Sequence, residues 1–320
     1  MKNSEGRRLI TAGALIVAVW AVITLLMVTG IMPRSFQSLT IKICYYVILT
    51  LSLDLIVGYL GDLSLGHAAF YAVGGYVGCF IALSMGDDVP LVIRFIVALV
   101  TGGVAAAIIG FLISAAIIKL KGDYLAIVTL AFGEFVRSFV KIIPGFGGTK
   151  GLNGIPSFTS KTTGFTAAYV VMVLVIAIIY NFTHSRQGRV VTAIRDNAIA
   201  AASVGINIRQ NKILVFTLAS FMAGLAGVIF GFYKSTLVPS DFTYNLSIEV
   251  LVMVVLGGMG SIKGSIIASV IIVALPEVLR GAADYRMLIY AVALIAMTPR
   301  RSSRLSRKPS RTALKSSAEH

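Results

Sequence analysis

The chain has 320 residues, 57% of them hydrophobic and 13% charged, with a formal net charge of +15 and a mean hydropathy of +0.91. A soluble domain carries about 25% charged and about 45–50% apolar residues, so this composition excludes an ordinary soluble fold and implies one membrane domain. The positive charge lies in the joints between apolar runs and in the tail 300–315, not on an amphipathic helix with interleaved aromatics, so no nucleic acid is expected as a partner.

Ten apolar stretches follow one another, at 9–29, 41–60, 63–84, 91–118, 124–143, 165–182, 213–234, 246–259, 262–280 and 284–299. A helix of about 20 residues crosses a hydrocarbon layer of about 30 Å. The expected fold is therefore all-α, a polytopic integral membrane protein of about ten transmembrane helices. The eighth stretch is short enough to be broken or re-entrant. Lys2, Arg7 and Arg8 ahead of the first stretch resemble the start of a signal peptide. That stretch is too long and lacks a small-residue cleavage pattern, so it reads as an uncleaved first span.

An even number of spans puts both termini on one side. On that side the joints hold Lys2, Arg7, Arg8, Lys119, Lys121, Arg186, Arg189, Arg195, Arg209, Lys212 and Lys263, and the tail adds seven more, making eighteen of the 28 basic residues. The opposite joints carry Asp87, Asp88, Asp241 and Asp284. Both termini are expected in the cytoplasm of a multi-pass protein. The domain reading is a transmembrane domain over 1–299, with a cytoplasmic loop at 183–212, and a basic disordered cytoplasmic tail over 300–320.

Two short cytoplasmic joints share a Gly/Ser-rich character. One carries Gly58, Gly61, Ser64 and Gly66, the other Gly257, Gly258, Gly260, Ser261 and Gly264. Transporters often have repeated halves with interrupted helices, although glycine is common throughout this chain. Gly74 and Gly78 have the GxxxG spacing that lets helix backbones approach closely.

Intramembrane ionisable residues are costly and mark either a partner or a pathway. Asp54 reads in two ways, as a hydrogen-bonding centre for hydroxyls or freed amides at a helix break, or as a substrate contact. Glu249 has no partner nearby in sequence and reads as an inter-helix pair or as pathway lining. Glu134 with Arg137, and Glu277 with Arg280, are spaced to pair on one helix face. The pathway candidates are Asp54, Ser64, Gly66, His67, Glu249 and Gly258. For a lone His67 near a membrane boundary, the packing role outweighs a ligand role.

Cys44 and Cys79 lie far apart in apolar runs, and there is no CxxC. No HExxH or histidine cluster occurs, so no metal, cofactor or catalytic set is expected. The order Gly148-Thr149-Lys150 fails the GxxxxGK[ST] requirement of a nucleotide loop. Any ATP hydrolysis must come from other chains.

The joint 185–212 is too polar to span and too apolar for a plain linker. Ile194, Ala198, Ala201, Ala202 and Gly205 recur at spacings of three and four, so a short helix is expected there. Its small-residue face suits docking to another protein, and an amphipathic helix on the lipid surface is the alternative.

Four stretches in order carry a resemblance: Gly61-Asp-Leu-Ser-Leu-Gly-His-Ala-Ala-Phe70, Gly147-Gly-Thr-Lys-Gly-Leu-Asn-Gly-Ile-Pro156, Arg195-Asp-Asn-Ala-Ile-Ala-Ala-Ala-Ser-Val-Gly-Ile-Asn207 and Gly257-Gly-Met-Gly-Ser261. Together they make the chain similar to the larger of the two permease subunits of branched-chain amino acid importers of the ATP-binding cassette class.

The resemblance implies a permease of the plasma (inner) membrane that translocates branched-chain or other hydrophobic amino acids by alternating access. It would work with a second permease subunit as a heterodimer, two ATPase subunits and a periplasmic or surface substrate-binding protein. The loop 147–156 would face that binding protein. Arg195, Asp196, Asn197, Ala201, Gly205 and Ile206 would meet the ATPase. The chain departs from the wider acid-Ala-Ala pattern by Ile199 ahead of Ala200 and Ala201, which leaves Asp196 as the substitute acid. Two alternatives stand beside this reading: a urea or amide permease of the same family, and an ion-coupled secondary transporter.

Overall fold

The computed structural model describes residues 2–278 except 31, 87, 119, 121 and 159, and the side chains of 2–13 and 15 are not part of that description. By packing the chain divides into Met1–Val273 and Ala274–His320. Of the second unit, only the last turn of one helix falls among the described residues.

The helices run in the expected order: α1 (Lys2–Val28), α2 (Arg34–Asp54), α3 (His67–Ser84), α4 (Leu91–Ile117), α5 (Asp123–Val140), α6 (Lys161–His184), α7 (Arg186–Asp196), α8 (Ala198–Ser203), α9 (Ile208–Lys234), α10 (Tyr244–Gly257) and α11 (Ile262–Val278). Five segments are long and apolar enough to cross a membrane: Arg34–Leu60, His67–Ser84, Leu91–Ile117, Lys161–His184 and Ile208–Lys234. The expected ten is therefore not reached among the described residues. The apolar part of α1 (Ile16–Val28) and α10 are shorter. The last two expected spans run into or lie within 279–299, outside the described residues.

The exposure pattern is that of a protein solvated by lipid. The window of α4 with mean hydropathy 2.6 is only 28% buried, whereas that of Arg34–Leu60 is 89% buried. Water would not tolerate Ile108, Phe111 and Leu112 bare on the most apolar helix. Hydrocarbon tolerates them freely, provided each helix satisfies its own backbone.

The centre is a tight trio of α3, α4 and α9. A Cβ at Gly74 would strike the Gly224 backbone, and one at Gly78 the Ala98 carbonyl, so the GxxxG spacing serves backbone-to-backbone packing. The long central α2 packs on α6, α9 and α10. α1 reaches α6 through Trp20 Nε1, which donates to Thr166 Oγ1 at 3.3 Å, and through Tyr169 Oη, which donates to the Ile16 carbonyl at 2.9 Å.

The joints sort into two ends, as alternate crossing requires. At one end Lys212 meets Asp62 at 2.6 Å and Arg195 meets Gly58 at 2.9 Å. At the other, Lys161 Nζ donates to the Arg34 carbonyl at 3.1 Å. There the chain also departs from purely helical structure. β1 (Leu152–Asn153) pairs antiparallel with β2 (Thr236–Leu237), Leu152 opposite Leu237. Tyr76 Oη secures the pair by donating to the Leu237 carbonyl at 3.0 Å.

Candidate functional site

Three structural breaks meet toward the Asp62–Lys212 end. The first directly follows α2, where the helix continues over Leu55–Leu60 as a wider π-helix before Gly61 turns the chain with φ +82°. A π turn leaves carbonyls without their usual helical donors, and such turns gather at functional places. The Gly58 carbonyl receives Arg195 Nη1 instead.

The second break, Gly258 to Ser261, separates α10 from α11, with positive φ at Gly258 and Gly260. Its amide at Gly260 donates to Asp54 Oδ1 at 2.8 Å, while Ser265 Oγ donates to Asp54 Oδ2 at 3.2 Å. Asp54 is 1% exposed, so a carboxylate within the hydrocarbon layer is tolerable only because both oxygens are bonded. Gly58 is obligatory here, because a Cβ would collide with Asp54 Oδ1 and with the Gly260 nitrogen. The two Gly/Ser-rich joints noted in the sequence thus touch each other.

The third break, 61–66, runs as non-helical chain from Gly61 into the start of α3, where the sequence had suggested a span beginning at 63. Leu65 N donates to Thr129 Oγ1 at 3.0 Å and Ala68 N to Ser247 Oγ at 3.0 Å, so hydroxyls of α5 and α10 hold the new helix end. Any side chain at Gly66 would strike the Thr129 carbonyl. His67 Nε2 lies 2.7 Å from Ser52 Oγ, which donates to the Leu49 carbonyl at 2.8 Å. The single Ser52 proton serves one of these two neighbours, and the direction of the contact to Nε2 follows the imidazole tautomer. His67 Nδ1 and Ser64 Oγ are buried without a partner.

Glu249 accepts from Tyr46 Oη at 3.2 Å across α10 and α2, and Lys42 Nζ stands 5.6 Å above the Tyr46 ring. Glu134 and Arg137 pair on α5, with Arg137 Nε donating to Glu134 Oε2 at 2.8 Å. Arg280 lies outside the described residues.

The joint 185–207 forms two helices rather than the single one expected. Asn197 breaks the run: its φ of −157° is extended, and its Oδ1 accepts from the amides of Ile199 and Ala200, capping α8. Ser185 caps α7 and Asn207 caps α9 in the same way. Of the small-residue face, Ile194, Ala198 and Ala201 turn inward, whereas Ala202 and Gly205 are exposed. Ala201 is 4% exposed and packs with Val191 and Ile194 against Leu55, Leu60 and Phe216. The outward face presents Ile199 at 83% and Val204 at 75% exposure, beside Gly205 at φ +86°. Ile206 is half-buried and sends its amide to the Ala201 carbonyl. Asp196 is exposed but held by Arg195, whose Nη2 donates to its Oδ1 at 2.9 Å.

The structure brings Asp54 and Arg195 to one seam through Gly58 and Gly260, with Gly258 in the adjoining turn. It gathers Ser64, Gly66 and His67 around the start of α3. Ser52, Thr129, Ser247 and Ser265 belong with these residues but have no sequence motif to announce them. The only available signal was a hydroxyl inside an apolar run. Among the described residues no cluster of His, Cys, Asp and Glu is arranged to hold a metal ion.

A profile of the family described as branched-chain amino acid transport system / permease component matches residues 35–298. The LivM permease proteins of the high-affinity branched-chain amino acid transport systems of Escherichia coli and Salmonella typhimurium are each 32% identical over 283 residues. That alignment covers 79% of this chain and 65% of each relative, so the chain spans just under two thirds of their length. The LivH permease protein of Salmonella typhimurium is 23% identical over 254 residues, covering 71% of this chain and 79% of LivH. No solved structure matches the chain.

Proposed function

We start from the family, since the chain belongs to the branched-chain amino acid transport permease components, and we propose that it is the membrane-spanning permease subunit of an ATP-binding cassette importer. Its cargo is a branched-chain or other hydrophobic amino acid; the names of its relatives state branched-chain amino acids for those proteins. It sits in the plasma membrane with about ten crossing or re-entrant helices and both termini in the cytoplasm, as the charge bias of its joints favours. A LivH-like second permease completes the pore, two ATPase subunits drive it, and a substrate-binding protein loads it from outside.

The observation that carries this reading is the apolar outward face of α8. Ile199 and Val204 are bare, while the cap at Asn197 and the buried Ala201 hold the helix rigidly to the body. A lipid-surface helix also exposes apolar groups, but it has no need of a mechanical link inward. Here Arg195 supplies one, because its guanidinium holds the Gly58 carbonyl and its Cγ fills the space where a Gly61 side chain would stand. Movement of α7 and α8 on ATPase closure therefore reaches the π turn and, through Asp54, the α10–α11 turn. Rocking of these interrupted segments opens the passage alternately to each side, past the pathway candidates Ser64, Gly66, His67, Glu249 and Gly258. Arg195, Asp196, Asn197, Gly205 and Ile206 frame the docking helix, and Ala201 anchors it from within.

The test is affinity co-purification from the native membrane, comparing the wild type with Ile199→Arg. The substitution is at a surface position and spares the fold. The wild type brings down an ATPase and a second permease, and the variant loses the ATPase alone. A chain that purifies alone and transports in liposomes without ATP is a secondary transporter, and the importer reading falls.

A further inference from the structure

A cavity of about 170 Å³ opens at the end of the molecule that carries β1 and β2, between α2, α4, α6 and α9. Its deep walls are Ile41, Phe95, Ile229 and Phe232, all buried. Phe158 completes an aromatic cup, with Phe95 at 5.1 Å from Phe158 and 5.1 Å from Phe232 between ring centroids. Apolar cavities of about 150 Å³ take up a benzene-sized guest, so this one has room for an isobutyl or sec-butyl group.

The rim is different in kind. Lys161, Ser157 and Ser235 line it and are exposed or half-exposed. Two of the three Lys161 donors are used, on the Arg34 carbonyl at 3.1 Å and Ser38 Oγ at 2.7 Å, which leaves one for a ligand anion. Ser235 is the one non-glycine residue at positive φ among the described residues, at +61°. Such strain costs about 1 kcal/mol or more and collects at binding sites. It is held there by the end of α9 and by Ile155 N, which donates to the Ser235 carbonyl at 3.2 Å.

We infer that this cavity is an outer-face binding site for a free amino acid with a branched aliphatic side chain. The side chain enters the aromatic cup, the carboxylate meets Lys161, and the ammonium meets the hydroxyls of Ser157 and Ser235. The inference rests on the importer reading and adds to it a place in this chain where cargo pauses before passage. The shape of the site, apolar within and zwitterion-matched at the rim, distinguishes such a ligand from urea, which has no apolar part to bury.

The full chain in nanodiscs of one zwitterionic lipid is titrated with radiolabelled L-leucine, with 4-methylpentanoate, isoamylamine and laurate as competitors. Leucine binds saturably, 4-methylpentanoate displaces it and isoamylamine, lacking the carboxylate, does not. Lys161→Gln weakens leucine by about tenfold or more, one charge-assisted hydrogen bond's worth, and Lys161→Arg restores most of it. Gly164→Leu grows from the wall toward Phe158 and Ile41, which an added Cβ meets at ordinary contact distances of 3.4 and 3.5 Å, and abolishes binding. A thermal melt of each variant separates loss of the site from loss of the fold. Equal leucine affinity in the wild type and Lys161→Gln, or laurate bound where leucine is not, overturns the inference. If the complete complex still imports leucine with ATP in that case, the cavity assignment fails and the importer reading stands.

Discussion

The break ahead of α3 and the break between α10 and α11 are made of the same residue types, glycine and serine with one ionisable side chain nearby, yet they are satisfied to different degrees. Around Gly260 the account closes: the amide and the Ser265 hydroxyl are both bonded by Asp54. Around His67 it does not, since Ser64 Oγ and His67 Nδ1 are buried and unpartnered. A buried carboxylate has two oxygens able to accept several bonds, whereas a serine hydroxyl has one proton and Ser52 has already used it. The break at Gly260 is therefore a pin, and the break ahead of α3 keeps two buried polar groups without partners.

The contrast is broken most severely at the pin. Asp54→Leu strands the Gly260 amide and the Ser265 hydroxyl in the interior, at a combined cost of about 3 kcal/mol or more. In thermal unfolding of the nanodisc-embedded chain, the midpoint should fall by several degrees, with Asp54→Asn recovering part of the loss. An unchanged midpoint would mean that the seam contributes nothing. At the open break the expected effect is smaller and of opposite sign. Ser64→Ala removes a hydroxyl that has no partner, so stability should stay level or rise by a few tenths of a kcal/mol. Transport by the assembled complex should fall nonetheless. If stability falls instead, Ser64 has a partner and the comparison loses its basis.

Much of the fold was legible because burial in lipid leaves a coarse signal, namely long apolar runs separated by charged or glycine-rich joints. The described long helices overlay those runs, although α1, α2 and α9 begin five to seven residues ahead of theirs in polar sequence, and α3 begins four residues late, at His67, because Leu63 and Leu65 keep the apolar pattern through a stretch that is not helical. What the residues could not reveal was direction. Spacings of three and four identify a small-residue face on 194–205, but not whether Ala201 points into the body or out of it. The apolar partners waiting at Leu55, Leu60 and Phe216 decide that, and they come from distant chain segments. The Asp54 seam was equally hidden. Its amide donor lies 206 residues away, and the widening of α2 into a π turn leaves no compositional trace in Leu-Ile-Val-Gly-Tyr-Leu.

The central claim is that this chain converts ATPase closure into passage of an amino acid through its interrupted helices, with Arg195 as the link. The most direct measurement reconstitutes the purified complex in proteoliposomes and records ATP hydrolysis and leucine uptake together, for the wild type and for Arg195→Gln. The account predicts ATP-dependent uptake in the wild type. In the variant, hydrolysis continues while uptake falls by about tenfold, since the lost bond to the Gly58 carbonyl is charge-assisted and its absence leaves the π turn unmoved. Uptake that keeps pace with hydrolysis in the variant, or that proceeds without ATP in the wild type, would contradict it.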